Sequence, residues 1–218
     1  MRKFLFAVSV IAVLSVLLVP GSGIAEPTHP NEIGLYLSPD GYGATGTFEM
    51  MALVDVYLVL TKPTDVQNSG APFDNIYGFE CRLNFNPNPL GNLYKLQDDL
   101  PILSINVGDS TDMTQGFLEY IVGIAASNPL AVVDEAAVLI TFTFMAVTPT
   151  PTEVTLGPVG TYSSIPGQMV FYTNDQYSDD AQVMYSVGGS HDAPVFIFNG
   201  EAVAVENESF GSVKALYR

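Results

Sequence analysis

Three features of this sequence invite a reading as reactive chemistry: the run Ser190-His191-Asp192, the lone cysteine Cys81, and a large surplus of carboxylates. Ser, His and Asp are the residue types of a hydrolase triad, but consecutive residues of an extended chain point to opposite sides. They cannot form that relay among themselves. His191 therefore reads as a loop residue, and the other histidine, His29, sits close to the start of the exported chain, where termini are mobile. Cys81 has Phe79 and Leu83 two residues to either side, which places it on an apolar face where a thiol stays protonated and inert. Among 23 Asp and Glu a glycosidase pair is numerically available, yet the absence of Trp removes the usual floor of a deep glycan cleft. The chain is expected not to be an enzyme.

Oxygen-rich loops suit a hard cation. Asn174, Asp175, Asp179 and Asp180 fall within seven residues and form a candidate calcium loop, without the Gly and closing Glu of an EF-hand. The alternative is a solvated acidic turn. Asp109-Ser110-Thr111-Asp112 is a weaker version of the same pattern. No other cofactor is expected, since one Cys and two His exclude a zinc cluster and a disulfide framework.

Composition sets the wider limits. The 218 residues are 48% hydrophobic and 14% charged, enough to fill a core. Seven Lys and Arg against 23 Asp and Glu give a net charge of −16, which excludes a nucleic-acid surface. Arg2 and Lys3, an apolar run from Phe4 to Val19, the break Pro20-Gly21-Ser22 and the small residues Gly23 and Ala25 follow the order of a secretory signal. That run is short of the roughly 20 residues that span a bilayer. Residues 1–25 are thus expected to be removed after Ala25, without membrane insertion of what remains. The product is expected outside the cell, at the cell surface or in the periplasm. It keeps five cations against 23 carboxylates, and stays soluble by self-repulsion.

The elements that must position any site are short strands. In Gly78–Phe85, Phe79, Cys81, Leu83 and Phe85 face one way and Glu80, Arg82 and Asn84 the other. In Val138–Phe144, Ile140, Phe142 and Phe144 point inward and Thr141 and Thr143 outward. Val54–Leu60 and Leu118–Ile124 are apolar on both sides and suit strands covered on both faces. Val195–Val205 is a hairpin signal around Asn199-Gly200, fit for a type I′ turn that pairs Phe196 with Val203. Weaker strands are Ile33–Leu37, Ile102–Val107, Glu153–Val159, Met169–Thr173 and Val183–Ser186. Helices long enough for βαβ crossovers are missing, which argues against parallel sheets. The expected fold is an all-β antiparallel sandwich of jelly-roll type, one domain over residues 26–206.

Gly78–Pro87 resembles the signature of the cohesin family, in which a strand leads into a Tyr-Asp-Pro-like turn followed by a Leu. Phe85-Asn86-Pro87 stands at that turn and Leu90 after it, and Val138–Val147 is similar to the later aromatic-rich strand. The Asn199-Gly200 hairpin is similar to the closing one. The resemblance implies a non-catalytic β-sandwich, related in fold to carbohydrate-binding modules, that displays a flat sheet face to a protein partner. Residues 207–218 have their own pattern. Ser209 can cap a short helix with Phe210, Val213 and Tyr217 on one stripe and Lys214 and Arg218 toward its end. Such a helix is too short to stand alone, so it docks on the sandwich or serves as a recognition tag.

Two binding readings follow. A protein partner would meet an exposed sheet face, on which Glu80, Arg82, Asn84, Thr141 and Thr143 are the outward residues. A polysaccharide would need a coplanar row among Tyr57, Tyr120, Tyr172 and Tyr185. A structural cell-surface component is the third reading.

Overall fold

The computed structural model describes residues 27–41, 45–46, 48–160, 163–174 and 181–200. Within them the fold is all-β, with strands β1 (Glu32–Tyr36), β2 (Thr45–Gly46), β3 (Leu53–Thr61), β4 (Asn75–Ile76) and β5 (Gly78–Asn86). They are followed by β6 (Leu93–Asp99), β7 (Ser104–Asn106), β8 (Phe117–Ile124), β9 (Leu130–Ala131) and β10 (Ala136–Ala146). The last four are β11 (Thr152–Gly157), β12 (Met169–Tyr172), β13 (Ala181–Ser186) and β14 (Phe196–Phe198).

Two layers result. One has the order β6-β10-β3-β1. The other is centred on β5, which pairs with β8 along one edge and with β12 and β11 in succession along the other. β7 lies outside β8, and β14 and then β2 lie outside β11. β13 pairs antiparallel with β12 and parallel with β1, stitching the layers together at one side. The expected antiparallel sandwich forms. Its two parallel pairings, β1 with β13 and β14 with β2, are each two residue pairs long and need no helical crossover.

The alternation in β5 and β10 explains the core. Phe79, Cys81, Leu83 and Phe85 are buried from one layer, and Ile140, Phe142 and Phe144 from the other. Aromatic rings lock the layers face to face: Phe85 lies 6.3 Å from Phe144, Tyr120 5.7 Å from Phe142, and Phe198 5.0 Å from Phe144. All three pairs are edge-on, the arrangement ring quadrupoles favour. A one-residue bulge at Leu139 shifts the β10–β3 register just before the aromatic stretch.

Three expectations need correction. β3 is covered on both faces only over Leu58–Leu60, whereas Leu53 and Asp55 are exposed. Cover comes from Tyr36, whose phenol lies over Gly34, beside Val59; a Cβ at Gly34 would collide with that ring. β8 buries Leu118, Tyr120, Val122 and Ile124 on one side and leaves Phe117 and Ile121 half-exposed. The Asn199-Gly200 turn is not type I′, because Asn199 has φ 54° while Gly200 lies outside the left-handed region. Asn199 instead accepts a bond from Phe48 N (3.1 Å) and donates to the Thr148 carbonyl (3.1 Å). Its return strand with Val203 lies outside the described residues, as do residues 1–25 and 207–218.

β6 has no counterpart in the pattern reading, because two of its inward residues are charged. Lys95 and Asp98 turn toward the interior, where Lys95 Nζ lies 2.6 Å from Asp98 Oδ2 and the Tyr120 hydroxyl donates to the same oxygen (2.8 Å). A buried charge is tolerable only when paired and hydrogen-bonded, and this cluster meets both conditions.

Candidate functional site

The strand registers set out each outer face as a grid. On the β5 layer, Val107, Ile121, Glu80 and Val170 form one row across β8, β5 and β12. The next rows are Glu119, Arg82 and Gly157, then Phe117, Asn84 and Thr155. On the opposite layer the rows across β3, β10 and β6 are Leu53–Met145–Tyr94, Asp55–Thr143–Gln97 and Tyr57–Thr141–Asp99. Glu80, Arg82 and Asn84 therefore lie on one side of the sandwich, and Thr141 and Thr143 on the other. They cannot form one site.

Glu80 is corrected further, since it is 2% exposed. Its carboxylate accepts Ser164 N (2.9 Å), Ser164 Oγ (2.6 Å) and the Tyr172 hydroxyl. One row away, Glu119 Oε1 accepts Gly160 N (2.6 Å) and lies 3.0 Å from Arg82 Nε. That N–H is not aimed at the oxygen, so the contact is an ion pair and not a hydrogen bond. The Arg82 guanidinium also stacks 3.8 Å over the Phe117 ring centroid. Two carboxylates thus pin the β11–β12 connection onto the middle of the sheet. No local pattern announces this, because the partners are 41 and 84 residues apart.

What stays open on this layer is its β7 edge. Ile102, Leu103, Ile105 and Val107 are 76, 64, 71 and 73% exposed. Ile105 and Val107 continue the outer face through half-exposed Ile121 to Phe117 and Arg82. The stretch 101–108 carries no charge.

No protein-family model and no curated protein matches the chain. Solved structures do. A type II cohesin domain from the cellulosome of Acetivibrio cellulolyticus superposes with a TM-score of 0.52 at 12% identity, over 80% of this chain and 98% of that one. The second type II cohesin module of a cellulosomal adaptor scaffoldin from the same organism gives 0.50 at 14% identity, over 78% and 96%. The fold is cohesin-like.

The other candidate groups now have places in the cohesin-like sandwich. Tyr120 is fully buried in the core and Tyr172 is 5% exposed with its hydroxyl on Glu80, so neither is a sugar platform. Burial, then Asp98, raises the Tyr120 phenol above its ordinary value; burial, then the bond to Glu80, does the same for Tyr172. Tyr57 is half-buried on the β3 face, and Tyr185 is 49% exposed on β13. The coplanar row does not form. Cys81 is buried, and burial followed by the neighbouring Glu80 charge pushes its thiol up, so it is no nucleophile.

His191 does not meet Ser190 or Asp192 in a relay. Its Nδ1 lies 3.2 Å from the Leu156 carbonyl and 3.3 Å from Ser186 Oγ, which itself donates to that carbonyl (3.1 Å). Ser186 is 1% exposed, which keeps substrate away. Of the candidate calcium loop only Asn174 is described; Asp175, Asp179 and Asp180 lie outside the described residues. Asp109 and Asp112 instead hold their own turn, as Asp109 accepts from Thr111 and Gln115 and Asp112 from Thr114.

Proposed function

We propose that this chain is a secreted, non-catalytic binding module that recognises a protein partner through the open β7–β8 edge of its β5 layer. Residues 1–25 act as the export signal and 26–206 form the binding domain. The observation that carries the reading is the uncharged, exposed strip Ile102, Leu103, Ile105 and Val107, continuous with Ile121, Phe117 and Arg82. Interfaces combine such a desolvatable apolar centre with Arg and aromatic groups and a polar rim. An edge strand also offers unpaired backbone groups to an incoming segment. The fold is shared with modules of a cellulosome and of a cellulosomal adaptor scaffoldin, which supports an assembly role. Arg82 and Asn84 border this surface, while Glu80 holds the roof over its neighbour.

The test is affinity capture from the native organism's secretome. Wild type is compared with Ile105→Asp/Val107→Asp and with Thr141→Ala/Thr143→Ala. Loss of a captured protein in the first variant and retention in the second is expected. Equal capture by all three would refute the assignment.

A further inference from the structure

A groove runs along the outer face of β10, on the layer opposite the proposed partner surface. Its first hollow, about 360 Å³, has Ala136 and Val138 as its floor and Pro39, Leu130 and Val133 as its walls. A second, about 340 Å³, shares Leu130, Ala131 and Val138 with the first and continues past Ile102 to Thr141 and Asp99. β9 holds Leu130 in place by pairing with β4, where Ile76 is fully buried. Val133 and Ile102 stand at the lips, 64 and 76% exposed.

Carboxylates close both ends of this apolar floor. Asp40 and Asp134 line the first hollow and Asp99 the second. Val133 and Ala136 exchange backbone bonds around Asp134 and Glu135, which both take left-handed φ (49° and 65°). Asn-Gly is at ease in such a two-residue turn, and here the turn presents two charges instead. Asp40 accepts from Ser38 and Asp99 from Gln97, and none of these four carboxylates meets a cation in an ion pair among the described residues. Lys62 lines an adjoining hollow with Asp40, Asp134 and Glu135, so that end keeps three carboxylates against one cation.

Spacing and charge select the occupant. Ala136, Val138 and Thr141 pair with Thr61, Val59 and Tyr57 of β3, so the floor spans four strand residues, about 13 Å. In an extended peptide the first, third and fifth side chains share one face over the same length. An apolar third residue then meets Val138 and Leu130, while cationic first and fifth residues meet the carboxylates at the two ends. The surplus over the whole chain, 23 carboxylates against seven cations, favours the same charge in a partner.

We propose that this groove takes an extended basic–apolar–basic segment of a protein, with Val138 beneath its central residue and Asp134 and Asp99 on its two cations. It is a second interaction surface, separate from the β7–β8 edge.

The test is a nuclear magnetic resonance titration of the isotope-labelled full-length protein with the peptide acetyl-Lys-Thr-Leu-Thr-Lys-amide. Saturable shifts in 130–138, 39–40 and 99–102 are expected, with a Kd of about 1 mM or below. Binding is expected to weaken about tenfold or more for Lys-Thr-Thr-Thr-Lys, which lacks the apolar centre, and for Glu-Thr-Leu-Thr-Glu, which reverses the charge. The same loss is expected in Asp134→Asn/Asp99→Asn, since Asn tolerates the left-handed turn and removes only the charge. No saturable shift, shifts centred on 104–107, equal binding of either control peptide or an unchanged Kd in the variant would each overturn the proposal. The titration needs no captured protein, so this inference and the proposed function fail separately.

Discussion

The two outer faces of this sandwich look alike in sequence and differ in structure. β5 and β10 both alternate apolar with polar residues, and both send the polar set outward. On β10, Thr141 and Thr143 stay half-exposed in a flat grid. On β5, the outward Glu80 is sealed beneath Ser164 and Tyr172. An outward polar residue can meet solvent or a loop of its own chain, and strand periodicity is blind to the difference. Burial of a carboxylate under three donors makes the β5 face a structural element, and the uncommitted apolar edge beside it becomes the surface available to a partner.

The largest effect expected from breaking this contrast is at Glu80. Glu80→Ala strands the Ser164 and Tyr172 donors and should cost about 3 kcal/mol in urea unfolding, with an unchanged m-value. Tyr120→Phe, which removes the donor to Asp98 but keeps the ring against Phe142, should cost about 1 kcal/mol by the same measurement. On the open face Thr143→Ala should fall within about 0.5 kcal/mol of wild type. If Thr143→Ala cost as much as Glu80→Ala, the distinction between the faces would be lost.

Alkaline titration sharpens the same contrast. Tyr120 and Tyr172 have folded-state pKa values raised above their unfolded ones, so they hold stability in full below the unfolded value near ~10. That stability is lost as pH rises above it, because the unfolded phenols release protons first. Dichroism melts should fall from about pH 10 upward, and less steeply in Tyr172→Phe.

Much of the fold could be read from the chain. The alternation around Cys81 and Phe142 predicts the buried faces, and the aromatic-rich stretch of β10 sits where the two layers meet. β6 escaped because Lys95 and Asp98 turn inward and break the apolar period, and its stabilising partner Tyr120 comes from another layer. The site was harder to read. Residues assigned to one face belong to two, because alternation gives a side of a strand and not the layer it belongs to. Two of four tyrosines proposed as sugar contacts are interior, since an aromatic ring reads the same in sequence whether it stacks on ligand or on Phe142. Ile105 and Val107 alternate with Ser104 and Asn106, a strand signal that does not reveal an exposed edge.

Hydrogen exchange of the full chain, with and without the captured partner, tests the central claim most directly. The account predicts added protection in 104–107 and 117–123 and none in 53–57 or 141–145. Protection confined to 53–57 and 141–145 would contradict it.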